Sequence, residues 1–457
     1  MKTASAKKID FLNGKIFKKL VLFTIPMAIA TFLQMLFNAA DIAIVGQFAG
    51  SQYQAAVGST SSAIHLIVNL FIGVSIGANV AMANAFGAKD EDKQKRIVHT
   101  SMATSLIGGI LVMIVGLLLC RPILTAMKTP SEIIDYAVLY MQIYFLGAPA
   151  MLVYNFGASL MRGVGEAKKP LRYLFVSGIL NVLINAVTVI FFDLHVIGVA
   201  LGTTVSQYFA AAWIVFDLRK EKDGLRYSVR KTRFHKKEFI KILKIGVPMG
   251  FSSCLFSFSN LFVQSAVNGF GDVAIAGNTV AANIDTMVDA FTSSIEKSVV
   301  TVVGQNYGAN KRERIHKVIG AGLFATLCVE IVVLFLLGLF GKYVCMIYNS
   351  DAAVIEWALK RVHLIGISYG LVMLMTCYGG ALRGMGYSFL PMLVNLIFTC
   401  LVRILYLSFI FPTFETQTIQ MVYILYPITW LLSGGMQTLL YYIIAKKQGH
   451  FKKPDRS

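Results

Sequence analysis

Gln34, Asn38 and Asp41 stand at i, i+4 and i+7 within an apolar run from Leu20 to Val45, so a helix would place all three on one face. An acid at membrane depth is costly unless protein or water receives it, which makes Asp41 a candidate for reversible proton or cation binding. The competing reading is a carboxylate that only ties helices together. Asn181 and Asn185 repeat at i, i+4, and Thr203, Thr204 and Gln207 lie on the next apolar run. Interhelical amide bonding is the plainer alternative for these. Asp285, Asp289 and Glu296 fall at i, i+4 and i+11, within about 40° on a wheel of about 3.6 residues per turn. Three acids on one face attract cations or take protons; the alternative pairs Glu296 and Lys297 with other helices. Glu330 and Arg403 read as partners for each other in a structural ion pair. Phe (32), Tyr (19) and Met (19) supply flat and flexible walls for apolar cations, with Tyr144, Tyr154 and Met35 as candidates against ordinary packing.

These side chains need elements to carry them, and composition says which kind. Of 457 residues, 56% are apolar and 14% charged, against about 25% charged in soluble domains. The expected class is an all-α polytopic membrane protein. A net charge of +19 would suit nucleic acid, but the basic residues sit in short clusters between apolar segments, so no nucleic-acid partner is expected. Six scattered cysteines form no C-x-x-C pair and no disulfide framework. A crossing helix needs about 20 apolar residues. Twelve segments meet this: 17–46, 54–86, 94–119, 132–160, 170–192, 196–218, 238–267, 275–305, 316–341, 352–380, 388–412 and 420–445. The basic N-terminus does not read as a cleavable signal. Lys and Arg crowd both tails and every second connection, whereas the opposite loops hold only Arg121, Lys128 and Lys342. The positive-inside rule then places both termini in the cytoplasm. Residues 219–237 read as a cytoplasmic linker between an N-terminal lobe (1–218) and a C-terminal lobe (238–457).

The halves repeat. A shift of 221 or 222 residues carries Pro26 onto Pro248, Gly87-Ala88 onto Gly308-Ala309, Met161–Gly165 onto Leu382–Gly386 and Pro170 onto Pro391. An even number of helices per half makes this a parallel repeat, the plan of transporters that hold substrate between rocking halves. The same shift carries Asp41 onto Phe262 or Val263, so the repeat itself does not require the acid. No H-E-x-x-H, G-x-S-x-G or P-loop is present, so no enzyme is expected. Pro26 cannot donate to the carbonyl of Leu22 and is a candidate helix kink.

On these residues the chain resembles the multidrug and toxic compound extrusion (MATE) family, in its DinF-like prokaryotic branch, within the multidrug/oligosaccharidyl-lipid/polysaccharide exporter superfamily. The resemblance rests on Asp41–Gly46, on Val303–Ala309, and on the turns Arg162–Gly165 and Arg383–Gly386, and it covers essentially the whole chain. It implies two six-helix lobes forming a V, and export of amphipathic, often cationic drugs in exchange for H⁺ or Na⁺, with no further cofactor. It implies a coupling acid at Asp41 with Asn181, Asn185 and Thr203 around it, Na⁺ being the metal that Asp41 and Asn181 would hold. Some members carry an acid where this chain has Asn185, which leaves a smaller charge for a bound cation. Another branch carries an acid two turns past the second-half proline; here Phe256-Ser257 stand there, against that branch's cation site. Gln34, Asn38, Tyr154, Gln207, Asp285, Asp289 and Glu296 remain candidates for substrate or a second cation. The expected protein is a monomer in a bacterial inner membrane. The alternative within the superfamily is a flippase for a lipid-linked sugar or other amphipathic lipid.

Overall fold

Hydrocarbon offers the backbone no partner, so each crossing segment must satisfy its own N–H and C=O groups. In the computed structural model, which describes residues 8–449, the chain is helical with no strand among the described residues. The helices are α1 (Ile16–Ala49), α2 (Ser51–Gly87), α3 (Glu91–Ala126), α4 (Ser131–Leu146 and Ala148–Gly163), α5 (Lys168–Phe191) and α6 (His195–Lys220). Then follow α7 (Lys236–Asn268), α8 (Asp272–Gly308), α9 (Arg312–Tyr348), α10 (Ala352–Gly366 and Tyr369–Gly384), α11 (Phe389–Thr413) and α12 (Ile419–Lys447). Nine candidate crossings are long and apolar enough singly, and up to 11 if each bent pair is one span. The remaining helix, α8, has 37 residues; its four acids (Asp272, Asp285, Asp289 and Glu296) and Lys297 lower its hydropathy. Lys2, Lys7, Lys452, Lys453 and Arg456, which entered the charge asymmetry, lie outside the described residues.

Two expected segments are broken. α4 bends by 47° at Gly147, and α10 bends by 44° between Gly366 and Tyr369. Pro149, in the first turn of the second α4 piece, has no N–H to continue the ladder. Backbone conformation repeats with the sequence. Among the described residues, six of the eleven with positive φ form pairs 221 apart: Gly50 with Gly271, Lys89 with Asn310, and Gly165 with Gly386. Gly165 and Gly386 end the two R-G-x-G turns at φ 86° and 96°, where a side chain would be strained.

The chain forms two compact units: residues 8–10 with Ile25–Gly250, and Phe11–Thr24 with 251–449. The division does not follow the linear halves. α1 changes unit one residue before Pro26, and α7 changes two residues after Pro248. Residues 219–237 belong to the first unit. Leu225 there is buried, Lys169 Nζ holds Glu221 at 2.6 Å, and His235 N donates to Thr100 Oγ1 at 3.2 Å.

Within the first unit, α2 and α7 cross on four glycines. Gly73-x-x-x-Gly77 meets Gly246-x-x-x-Gly250. A Cβ on Gly73 would lie 2.2 Å from Gly250 Cα, and one on Gly77 2.2 Å from the Ile242 carbonyl oxygen. Lipid gives membrane helices no hydrophobic drive to associate, so contact rests on close backbone approach. The repeat places Thr24 and Ser298 at the corresponding positions of the second unit, where Thr24 Oγ1 donates to Ser298 Oγ at 2.9 Å. Bare backbone packs one crossing; hydroxyls bond the other.

The same substitution should therefore have opposite signs along α2. Gly77→Ala forces backbone apart and should cost about 1–3 kcal/mol. At Gly58 a Cβ meets nothing within 4 Å, and Gly58→Ala should gain up to about 1 kcal/mol of helix propensity. Thermal unfolding of the two detergent-purified variants checks this; equal shifts would refute it.

Candidate functional site

Asp41 lies about two turns before the C-terminal end of α1 and is only 7% exposed. α5 and α6 supply what water would have supplied. Asn185 Nδ2 donates to Asp41 Oδ1 at 2.6 Å. The Asn181 amide is best oriented with nitrogen toward the carboxylate: Nδ2 then donates to Oδ1 at 3.0 Å, while its oxygen accepts from Thr203 N at 3.1 Å. The opposite orientation would set two acceptors face to face. Thr203 Oγ1 stands 3.5 Å from Asp41 Oδ2, a weak contact, and its hydroxyl has the nearer Val199 carbonyl at 3.0 Å. One carboxylate oxygen is thus doubly bonded by charge-assisted donors and the other is nearly open. Close packing makes this approach. A Cβ on Gly202 of α6 would fall 1.9 Å from Asn185 Oδ1, and that oxygen has no hydrogen-bond partner.

The polar stripe of α1 does not converge on one point. Gln34 and Asn38 are exposed, and no hydrogen bond joins them to Asp41. Tyr154 hydroxyl donates to the Pro170 carbonyl at 3.1 Å, tying α4 to the start of α5. Thr204 Oγ1 donates to the Ile143 carbonyl at 2.9 Å, tying α6 to α4. Gln207 points its buried, unpartnered Oε1 toward the α4 break, where a Cβ on Gly147 would come within 2.5 Å of it.

In the second unit the three candidate acids of α8 have three different fates. Asp285 Oδ2 pairs with Arg361 Nη2 at 2.5 Å, and Tyr369 hydroxyl donates to Oδ1. Arg361, buried among aromatic rings, also donates to the Asn278 carbonyl at 3.1 Å, and its guanidinium lies 5.6 Å over both Tyr423 and Tyr426. Glu296 pairs with Arg383 of the second R-G-x-G turn. Asp289 is exposed, accepts from Thr292 Oγ1 at 3.4 Å, and forms no ion pair among the described residues. One open acid remains of the expected three. Arg361, Arg383 and Tyr369 were not among the candidate site residues. Their partners sit 76 to 87 positions away in sequence, a separation no helical spacing reveals.

The expected Glu330–Arg403 pair is absent. Arg403 donates to Thr429 Oγ1 from Nε at 3.1 Å and Nη2 at 3.0 Å, and stacks 4.3 Å from the Tyr426 ring centroid. Both carboxylate oxygens of Glu330 are buried without a partner. The guanidinium finds a hydroxyl and a ring face nearer than the acid.

Breaking the Asp285–Arg361 pair from one side should be costly. Arg361→Met strands a carboxylate and should destabilise by about 3–5 kcal/mol. Adding Asp285→Asn should restore most of that, as read by thermal unfolding. A double variant no more stable than the single one would show that the pair is not the cause.

Comparison with known proteins follows the same lines. A sequence profile described as MatE matches residues 26–187 and 248–408, one copy in each half. The chain is 25% identical over 388 residues to a probable multidrug resistance protein, YoeA, of Bacillus subtilis, covering 83% of this chain and 84% of the relative. It is 24% identical to the multidrug export protein MepA of Staphylococcus aureus, covering 76% and 77%. Its fold matches that of a multidrug resistance MATE transporter solved in an outward-facing conformation, with TM-score 0.89, 22% identity and coverage of 98% and 99%.

Proposed function

The chain belongs to the MatE family, and from that premise we propose that it exports small amphipathic cations in exchange for protons, with Asp41 as the coupling acid. The family's members are transporters, so the chain is a multi-pass membrane transporter and not an enzyme. The names of its relatives point to drugs as cargo.

The observation that carries the choice of ion is the donor pattern at Asp41. Two amide N–H groups already face Oδ1. A sodium ion prefers converging oxygens; here it would meet the positive ends of two dipoles. A proton needs only the nearly open Oδ2, and its arrival weakens both amide bonds by removing the charge that strengthens them. Loss of those bonds frees α1 from α5 and α6, and Pro26 supplies the weak point in its ladder. Asn181 and Asn185 serve as holders of the ionised form, and Thr203 N fixes the Asn181 amide that does so.

Charge also favours cations as cargo. Asp289, Gln34 and Asn38 are the exposed polar groups among the candidates, and exposed polar side chains on membrane helices belong against water. Arg361 and Arg383 are neutralised by acids, so neither offers a free charge to the anionic headgroup of a flipped lipid. We take the lobes 1–218 and 238–457 as the alternating halves. Since one chain holds both copies of the repeat, it acts as a monomer, in a bacterial plasma membrane with both termini cytoplasmic.

Uptake of a fluorescent organic cation into proteoliposomes tests this. An imposed pH gradient should drive accumulation, a Na⁺ gradient should not, and Asp41→Asn should reduce the rate to that of empty liposomes. Accumulation driven by Na⁺ alone would overturn the proton assignment. Unimpaired accumulation by Asp41→Asn would overturn Asp41.

A further inference from the structure

Glu330 lies near the middle of α9, is 1% exposed, and has no hydrogen-bond partner on either carboxylate oxygen. An ionised carboxylate so placed is costly, and even a neutral one lacking partners is unfavourable. The fold does not demand this cost. A shift of 221 carries Glu330 onto Gly109 and Gly370 onto Pro149. In the first unit a Cβ on Gly109 would lie 2.5 Å from Pro149 Cα, so that contact is backbone against backbone. In the second unit the large and small partners are exchanged. A Cβ on Gly370 would lie 3.8 Å from Glu330 Oε2, so Gly370 leaves room for the carboxyl.

The place of this carboxyl is as informative as its isolation. Gly370 is the second residue after the 44° bend of α10. Farther along α10, residues Met375–Gly379 form a π-helical segment, a wound-out turn of the kind that recurs at functional sites. Cys377 of that segment is the titratable group beside Glu330, and its Sγ lies 4.0 Å from Thr326 Oγ1, one turn before Glu330 on α9. No basic side chain from α8 or α10 comes within ion-pair distance of Glu330 among the described residues, and Arg361, Arg383 and Arg403 are engaged elsewhere.

We propose that Glu330 is a second proton-binding site, in the second unit, occupied while α10 is bent and emptied when the break at Gly366–Tyr369 rearranges to admit water. Bent α10 accepts only the neutral acid; an opened break hydrates the ionised form. The transfer is balanced by water: the carboxyl O–H bond breaks and the proton passes to a water molecule at the opened break. Its part in coupling rests on the proton-antiport reading, whereas the titration itself does not.

Infrared pH-difference spectra of the full-length protein in lipid vesicles test it. The carbonyl band of a protonated carboxyl should be present at low pH and vanish as pH rises. Glu330→Gln should remove one component of that band and Asp41→Asn a different one. Should Glu330→Gln not fold, ¹³C labelling of glutamate carboxyls in the unmutated chain should shift the same component and leave the aspartate component in place. A band that Glu330→Gln leaves unaltered, or that in the unmutated chain shows no glutamate component beyond that of exposed carboxyls, would overturn the proposal. Loss of the Glu330 component in a protein that shows no pH-driven uptake would sustain the site and defeat only the antiport reading.

Discussion

A carboxylate inside hydrocarbon has to be solvated by protein, and at Asp41 that requirement brings three helices to one point. α1 carries the acid, α5 brings two amides and α6 a hydroxyl. The glycine at 202 lets α5 and α6 close far enough for the Asn185 bond at 2.6 Å. Each donor favours the negative form, so the geometry is tied to a charge that one proton removes. In the proposed scheme the contact is structural in one protonation state and released in the other, as a coupling element has to be.

The two units answer the same requirement differently. The first holds its acid with neutral amides, which a proton can loosen. The second holds Asp285 and Glu296 with arginines, and a buried ion pair broken from one side leaves an uncompensated charge. The pairs in the second unit therefore read as scaffold, whereas Asp289, exposed, and Glu330, buried, form no ion pair among the described residues. Packing diverges as well: glycines seat α7 on α2, whereas Thr24 meets Ser298 through hydroxyls. A repeat with one backbone plan thus carries two chemistries.

Much of the fold was legible because hydrocarbon allows the backbone few choices. The twelve apolar segments correspond to α1–α12 within a few residues at most ends, since length and hydropathy decide a crossing. The breaks in α4 and α10 were not legible: a short interruption barely changes hydropathy, and α10 has no proline to announce its bend. The division into units was hidden too, because where α1 and α7 change partners depends on packing with helices distant in sequence.

At the candidate site, residue type and separation by one or two turns singled out Asp41 and the pair Asn181 and Asn185, because polar groups that share a helix face in lipid must face protein or water, whereas the resemblance to the MATE family is what set Asn181, Asn185 and Thr203 around the acid. The sequence by itself determined the membrane class, the parallel repeat and the acid that the repeat does not require, since these rest on composition and local spacing. Only the tertiary structure decided which polar groups meet. It paired Asp285 with Arg361 and Glu296 with Arg383, kept Gln34 and Asn38 apart from Asp41, and left Glu330 without the arginine expected for it. Those outcomes are set by distances between helices far apart in the chain, and spacing along one helix carries no information about them.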